Sequence, residues 1–155
     1  MENIVIIIPS RLNAERLPHK PLKLIKNKEM ILHVHAAAKD SNVGQVIVAT
    51  PDHEIFDLIK KNNGHAVLTN NKHETGTDRV YEVFEKELNS KPEIIINFQG
   101  DMPNLNPNAI KDLVEHMKKN LCDIGTLASH IKNKHEEKDT NVVKVLVDNN
   151  IENKS

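Results

Sequence analysis

The stretch IVIIIPSRLNAERLPHKPL, residues 4–22, sets the expectations for the fold of the whole chain. Its first five residues are apolar and β-branched, which is typical of a strand that is buried on both faces of a parallel sheet. Three cations then follow within a proline-stiffened segment, Arg11, Arg16 and Lys20. A rigid cationic loop at the carboxyl end of a strand suits a polyphosphate, because arginine and lysine both bind phosphate oxygens. An exposed loop with ordinary surface charges explains the same residues equally well.

Apolar runs and helical patterns alternate along the rest of the chain. This alternation predicts an α/β protein with βαβ units and a mostly parallel sheet that has helices on both faces. Strands are predicted at 4–8, 45–50, 65–69, 93–98, 124–130 and 142–148. Helices are predicted at 30–39, 52–62, 77–88 and 107–120, with Thr77 as N-cap of the third and Asn106 as N-cap of the fourth.

Residues with chemical potential follow three of the predicted strands, at 9–20, 70–79 and 99–103. Ligands of open α/β sheets bind at the carboxyl ends of the strands, so these segments are expected to share one site. In HETGTDR, residues 73–79, a Gly turn precedes a helix whose free N–H groups can face an anion or a base edge. Helix capping alone also explains Asp78.

The segment NFQGDMP, residues 97–103, places Asp101 just beyond a buried strand. A lone carboxylate beside a core is costly unless it is paired, and a hard cation such as Mg²⁺ is a natural partner. A turn-forming aspartate is the alternative interpretation. Neither a P-loop motif nor a dinucleotide-binding glycine fingerprint occurs in the sequence, and no histidine pair has zinc spacing.

Composition excludes several classes of function. The net charge is −1 with a pI of about 6.8, which argues against a general nucleic-acid or membrane-surface partner. Aromatic residues make up only 3%, so a base-stacking platform is not expected. The single cysteine, Cys122, excludes an intramolecular disulfide, fits a cytoplasmic protein and is predicted to be a small core residue. A strand begins almost at the N-terminus, so neither a signal peptide nor a transmembrane helix is expected.

The three motifs together are more specific than any one of them. In this order, and followed by DIGTLA and NVVKVLVD, they resemble the 3-deoxy-manno-octulosonate (Kdo) cytidylyltransferases, or CMP-Kdo synthetases, over essentially the whole chain. The resemblance implies a Rossmann-like nucleotidyltransferase fold, of which residues 1–155 form the C-terminally shortened, N-terminal part of a single domain. It implies transfer of CMP from CTP to Kdo with release of pyrophosphate, which activates Kdo for lipopolysaccharide synthesis in Gram-negative bacteria.

The same resemblance implies roles for seven residues. Arg11 and Lys20 would bind the triphosphate, and Asp101 would ligate Mg²⁺. The backbone around Pro9 and Ser10, together with Arg79 and Gln99, would contact the cytosine. Arg11, Lys20 and Asp101 would form the catalytic core, which stabilises charge while the sugar hydroxyl attacks the α-phosphorus in line.

The chain departs from the family pattern at Ala14, which lacks a hydroxyl, at His19, where glycine is usual, and at Met102, where glutamate is usual. The resemblance also implies that family members continue beyond residue 155, with a second metal-binding aspartate, most sugar-binding residues and much of a homodimer interface. A catalytically incompetent remnant, or a CTP-binding half that needs a second polypeptide, is therefore an alternative. A sialic-acid-like sugar is another alternative, and the segment 16–22 argues against it.

Overall fold

The computed structural model describes residues 3–13, 17–88 and 91–146. Its strands are β1 (Ile4–Pro9), β2 (Leu24–Ile25), β3 (Lys28–Glu29), β4 (Gln45–Thr50), β5 (His65–Leu68) and β6 (Ile94–Asn97). Its helices are α1 (Met30–Ser41), α2 (His53–Lys61), α3 (Gly76–Glu87), α4 (Pro107–Asn120) and α5 (Lys134–Lys138). A short 3-10 helix, Lys20–Leu22, ends the loop after β1.

Four strands form a parallel sheet in the order β5-β4-β1-β6, while β2 and β3 form a small antiparallel pair. The central strand β1 pairs with β4 on one side and β6 on the other, so Ile6 lies between Val46 and Ile96. The chain places β4 and β5 on one side of β1 and then crosses to β6 on the other. This reversal creates a topological switch point between β1 and β6, where open α/β sheets bind their ligands.

Both faces of the sheet are buried, as the uninterrupted apolar run in β1 predicts. Side chains alternate along a strand, so Ile6 and Ile8 lie on one face while Val5 and Ile7 lie on the other. The first face carries buried residues of α1, α2 and α4: Ile31, Val34, Ile55, Ile59 and Ile110. The second face carries buried residues of α3, Val80 and Val83. The predicted α/β fold with helices on both faces is confirmed.

The predicted strands at 124–130 and 142–148 are wrong where the structure describes them. Residues 124–130 and 142–146 are in no strand, Ile124 is 88% exposed, and residues 147 and 148 lie outside the described ranges. Cys122 is exposed and not a core residue. A strand pattern becomes a strand only where a neighbour supplies hydrogen bonds and burial. Within the described chain, no strand lies beyond β6 at that edge of the sheet.

Helix α3 begins earlier than the sequence predicts, because its N-cap is Thr75 and not Thr77. The Thr75 hydroxyl accepts a hydrogen bond from the Asp78 backbone N–H at 3.1 Å, and the Asp78 carboxylate accepts one from the Thr75 backbone N–H at 3.1 Å. Hydrogen bonds from the side chain and backbone of Thr75 lower the pKa of Asp78. This reciprocal capping box requires an acidic residue three positions after the cap, which Thr75 has and Thr77 lacks. The predicted cap of α4, Asn106, is confirmed.

The Ile7→Ala substitution should destabilise the protein by about 2–5 kcal/mol, because the fully buried side chain leaves a cavity in the central strand. Ile124→Ala removes an equally large side chain from an exposed position and should change the free energy of unfolding by less than about 0.5 kcal/mol. Urea unfolding of the two variants measures both effects. A large loss in Ile124→Ala would contradict the exposed position of residues 124–130.

Candidate functional site

A pocket of about 310 Å³ lies at the carboxyl ends of β1 and β6, at the switch point of the sheet. Three chain segments supply most of the lining, namely the loop after β1, the start of α3 and the loop after β6, and Met30 of α1 completes it. All seven residues to which the sequence assigns roles are among the lining residues: Pro9, Ser10, Arg11, Lys20, Arg79, Gln99 and Asp101. The other lining residues are Pro21, Met30, Thr75, Gly76 and Gly100. Arg16 and Ala14 lie outside the described ranges.

Two glycines let the three segments meet around Pro9. A Cβ atom on Gly100 would lie 2.7 Å from the Pro9 carbonyl oxygen, which is closer than a carbon atom can approach. A Cβ atom on Gly76 would lie 3.2 Å from Pro9 Cγ, which is also tight. Only a residue without a side chain therefore permits this spacing at Gly100. The glycines of the HETGTDR and NFQGDMP motifs set how closely α3 and the loop after β6 approach the end of β1.

Ser10 contributes a buried polar atom to the pocket. Ser10 is only 7% exposed, and its Oγ has no hydrogen-bond partner among the described residues. The Ser10 backbone N–H donates to the Ala49 carbonyl at 2.9 Å, which fixes the residue against β4. Buried hydroxyls are nearly always hydrogen-bonded. Ser10 Oγ is therefore a buried polar atom that the described protein leaves unsatisfied, in a residue that lines the pocket.

Arg79 is a cation held within the protein at the edge of this pocket. It is 2% exposed, and its guanidinium donates to the Thr69 hydroxyl and, at 3.0 Å, to the Asn70 carbonyl. Burial lowers the pKa of Arg79, and the nearby Arg11 guanidinium lowers it further. Two neighbouring guanidinium groups give the pocket a positive potential, which favours an anionic ligand.

Lys20 and Asp101 form an ion pair across the pocket, with Nζ 2.9 Å from Oδ2. The side chains are 36% and 55% exposed, so the pair is readily exchanged for other partners. Asp101 is the only carboxylate among the described lining residues, and no cluster of three metal-ligating side chains occurs in the described ranges. A single carboxylate fits Mg²⁺ that is held jointly with substrate phosphates, since Mg²⁺ commonly takes one or two carboxylates in such sites.

His19 has a left-handed backbone conformation, with φ of 56°. Few residues other than glycine adopt this conformation without strain. His19 therefore replaces the glycine that the resemblance implies at a position whose backbone conformation favours glycine. His19 leads directly into the 3-10 helix that carries Lys20. The turn that the resemblance assigns to glycine thus persists with histidine in its place.

Glu82 is part of the site's support and was not predicted from the sequence. It accepts a hydrogen bond from the Asn70 backbone N–H at 2.8 Å, and its carboxylate lies 2.6 Å from His73 Nε2 and 2.9 Å from Lys86 Nζ. Glu82 thereby links the loop after β5 to helix α3. Because Asn70 also binds Arg79 through its carbonyl, Glu82 helps to hold the partner of that guanidinium. No local sequence pattern distinguishes Glu82 from the other acidic residues of α3.

The carboxyl of Glu82 has a pKa of about 2, well below its ordinary value of 4.5. Burial alone would raise the pKa of Glu82. The Asn70 N–H, the Lys86 ammonium and the His73 ring outweigh that effect and lower it.

Glu82→Gln should make the free energy of unfolding less dependent on pH below about pH 5. A carboxyl with a lowered folded-state pKa contributes its full stabilisation above pH 4.5, and this contribution is lost as the pH falls towards about 2. The difference in unfolding free energy between wild type and variant should therefore shrink from about pH 5 to about pH 3. Urea titrations at intermediate pH values measure it. A constant difference across this interval would show that the carboxylate is not held as described.

The fold is that of the nucleotidyltransferases. Among solved structures, a nucleotidyl transferase from Methanothermobacter, at 17% identity and a TM-score of 0.64, covers 74% of this chain and 57% of its own and shares the fold. A second structure is titled a CMP:2-keto-3-deoxy-manno-octonic acid synthetase complexed with CTP. It has a TM-score of 0.72 and 38% identity, over 78% of this chain and 49% of its own.

Residues 5–154 match the cytidylyltransferase family, and the chain belongs to that family. It is 40% identical over 148 residues to the 3-deoxy-manno-octulosonate cytidylyltransferase of Glaesserella parasuis, covering 96% of this chain and 58% of that protein. The enzyme of the same name from Photorhabdus laumondii is 42% identical over 143 residues, covering 92% and 57%. The resemblance seen in the motifs is confirmed, and the chain spans about three fifths of the length of these relatives. No helix in the described ranges is long and apolar enough to cross a membrane.

Proposed function

We propose that this chain binds CTP in the pocket between β1 and β6 and serves the transfer of CMP to Kdo, with release of pyrophosphate. The observation that carries the proposal is the convergence of Ser10, Arg11, Lys20, Arg79 and Asp101 on one pocket. Three of these residues, Arg11, Lys20 and Arg79, are cations, and a triphosphate is the ligand that three cations in one pocket fit best. The product would activate Kdo for lipopolysaccharide synthesis, and CTP and the unpaired Cys122 both suit the cytoplasm.

In this proposal the cations do most of the chemical work. Arg11 binds the triphosphate, and Lys20 exchanges its ion pair with Asp101 for phosphate oxygens. The oxygen of the sugar hydroxyl forms a bond to the α-phosphorus as its proton passes to solvent water, and the bond to the pyrophosphate oxygen breaks. The two cations stabilise the negative charge that develops on the departing pyrophosphate.

Asp101, once released from Lys20, would hold Mg²⁺ beside the phosphates. Mg²⁺ would neutralise part of the triphosphate charge. The cytosine is assigned to Pro9, Ser10, Arg79 and Gln99, where the Ser10 hydroxyl offers an unused hydrogen-bonding group. The acceptor sugar rests on the names of the relatives, which are 3-deoxy-manno-octulosonate cytidylyltransferases.

Pyrophosphate release by the purified chain with CTP, Mg²⁺ and Kdo tests the proposal, and calorimetric titration with CTP tests its binding step separately. ATP, GTP and UTP are the nucleotide controls, and a sialic acid is the sugar control. Release that needs both CTP and Kdo would support the full reaction. CTP binding without release would limit the chain to a CTP-binding half, and no binding of CTP to the folded chain would overturn the proposal.

Ser10→Ala should weaken CTP binding by about three- to tenfold, because a neutral hydrogen bond contributes about 0.5–1.5 kcal/mol. The free energy of unfolding should not fall, since the hydroxyl has no partner in the described protein. Ser41→Ala is the matched control. That serine is also buried, but its Oγ donates to the Ala38 carbonyl at 2.6 Å, far from the pocket. Ser41→Ala should lower stability and leave CTP affinity unchanged, and the reverse pattern would contradict the assignment.

Asp101→Asn should remove the dependence of CTP affinity on Mg²⁺, because it neutralises the only carboxylate of the described pocket lining. In the absence of Mg²⁺ the variant should bind CTP at least as well as wild type, since Lys20 is no longer paired. Titrations with and without Mg²⁺ measure both effects, with the exposed Asp112 of α4, as Asp112→Asn, for control. An unchanged Mg²⁺ effect in Asp101→Asn would rule out the metal role.

A further inference from the structure

Asp52 stands at the N-cap of α2 but does not cap that helix with its side chain. Aspartate is among the best N-cap residues, so this capacity is left unused. Its carboxylate instead accepts a hydrogen bond from the backbone N–H of Leu12, at 2.7 Å. The two residues are 40 positions apart, and Leu12 lies in the loop that carries the cations.

Leu12 is the fixed point of that loop. Its carbonyl accepts a hydrogen bond from the His19 backbone N–H at 3.0 Å, and its side chain packs against the core on the face of α1. Leu12 directly follows Arg11, and His19 directly precedes Lys20. Two successive hydrogen bonds therefore connect Asp52 to the backbone beside both cations of the pocket.

Asp52 is itself anchored to the sheet. Its backbone N–H donates to the hydroxyl of Thr50 at 3.1 Å, and Thr50 is fully buried at the end of β4. Its carbonyl accepts from the Phe56 N–H at 3.1 Å, which begins the hydrogen bonding of α2. The carboxylate thus extends from a rigid point at the carboxyl end of a strand.

A negative charge here does not favour a phosphate ligand, and Asp52 is not among the residues that line the pocket. An anion beside an anion-binding loop weakens binding unless it has another role. The hydrogen bond to Leu12 supplies that role, because it fixes the loop backbone directly beside Arg11.

We propose that Asp52 is a positioning residue, which holds the loop after β1 so that Arg11 and Lys20 face the pocket together. The inference rests on the proposed function, since it concerns binding of the nucleotide triphosphate. It adds a residue from the turn between β4 and α2 to a site that is otherwise built mainly from the ends of β1 and β6 and the start of α3.

Two substitutions separate the hydrogen bond from the other properties of Asp52. Asp52→Asn keeps the length of the side chain and an acceptor oxygen, and loses the charge. Asp52→Ser keeps a good helix N-cap, which is too short to reach Leu12. Asp52→Ser should bind CTP about tenfold more weakly than wild type, because a hydrogen bond to a charged acceptor is lost. Asp52→Asn should bind CTP within about threefold of wild type or more tightly.

A control variant and a second measurement exclude a merely structural role. The control is Asn106→Ala, which removes the cap of α4, where the Asn106 side chain accepts a hydrogen bond from the Asn108 N–H at 3.0 Å. This variant should lower stability without changing CTP affinity. Amide hydrogen exchange at Leu12 should accelerate in Asp52→Ser and stay slow in Asp52→Asn. Unchanged exchange at Leu12 in Asp52→Ser, or CTP affinity equal to wild type, would overturn the inference. Equal weakening in Asp52→Asn would also overturn it, since charge would then be the cause.

Inorganic tripolyphosphate distinguishes this inference from the proposed function. If the wild type binds neither CTP nor tripolyphosphate, the proposed function fails, and exchange at Leu12 still decides whether Asp52 holds the loop. If the wild type binds both and Asp52→Ser binds them equally well, the positioning role alone is refuted.

Discussion

The close approach of two glycines to Pro9 is the constraint on which the site depends. A Cβ atom on Gly100 would clash with the Pro9 carbonyl oxygen, and a Cβ atom on Gly76 would make a tight contact with the Pro9 ring. Because Pro9 ends the central strand, which is paired on both sides, it offers a rigid point for both approaches. The start of α3 and the loop after β6 are thereby brought to the same end of β1. The pocket is the space that remains between them.

Carboxylates of the protein oppose part of the positive charge of this pocket. Arg11 lies close enough to Arg79 to lower the pKa of the Arg79 guanidinium, and Lys20 adds a third cation to the pocket. Three carboxylates lie near these cations and have different partners. Asp101 forms an ion pair with Lys20, while Asp52 and Glu82 accept hydrogen bonds from backbone N–H groups of the flanking loops. The Lys20–Asp101 pair is exposed enough to exchange readily. A triphosphate could therefore displace one ion pair while the loops keep their positions.

The sequence predicts the parts of the structure that arise from local pattern. The unbroken apolar run in β1 predicts a strand with two buried faces, and Asn106 followed by Pro107 predicts the start of α4. The convergence of Arg11, Lys20 and Asp101 is predictable too, because the carboxyl ends of parallel strands meet at one edge of a sheet.

The parts that could not be predicted depend on partners that are distant in sequence. Lys20 pairs with Asp101 over 81 positions, and Asp52 contacts Leu12 over 40, so neither contact leaves a local signal. Residues 124–130 have a strand pattern, but in the described chain no neighbouring strand pairs with them, and Ile124 is exposed. Cys122 is likewise exposed, although the apolar residues around it predict a core position. The N-cap of α3 was predictable, because the capping box with Asp78 is visible in the sequence.

The most direct test of the account is a nuclear magnetic resonance titration of the nitrogen-15-labelled chain with CTP and Mg²⁺. The account predicts that backbone amide shifts concentrate at the ends of β1 and β6 and at the start of α3, with Ser10, Gly76 and Gly100 among the residues most affected. Amides of the opposite, amino-terminal edge of the sheet, such as Gln45 and Ile94, should move little. Shifts centred away from these three segments, or no shifts at CTP concentrations that saturate related enzymes, would contradict the assignment of the pocket.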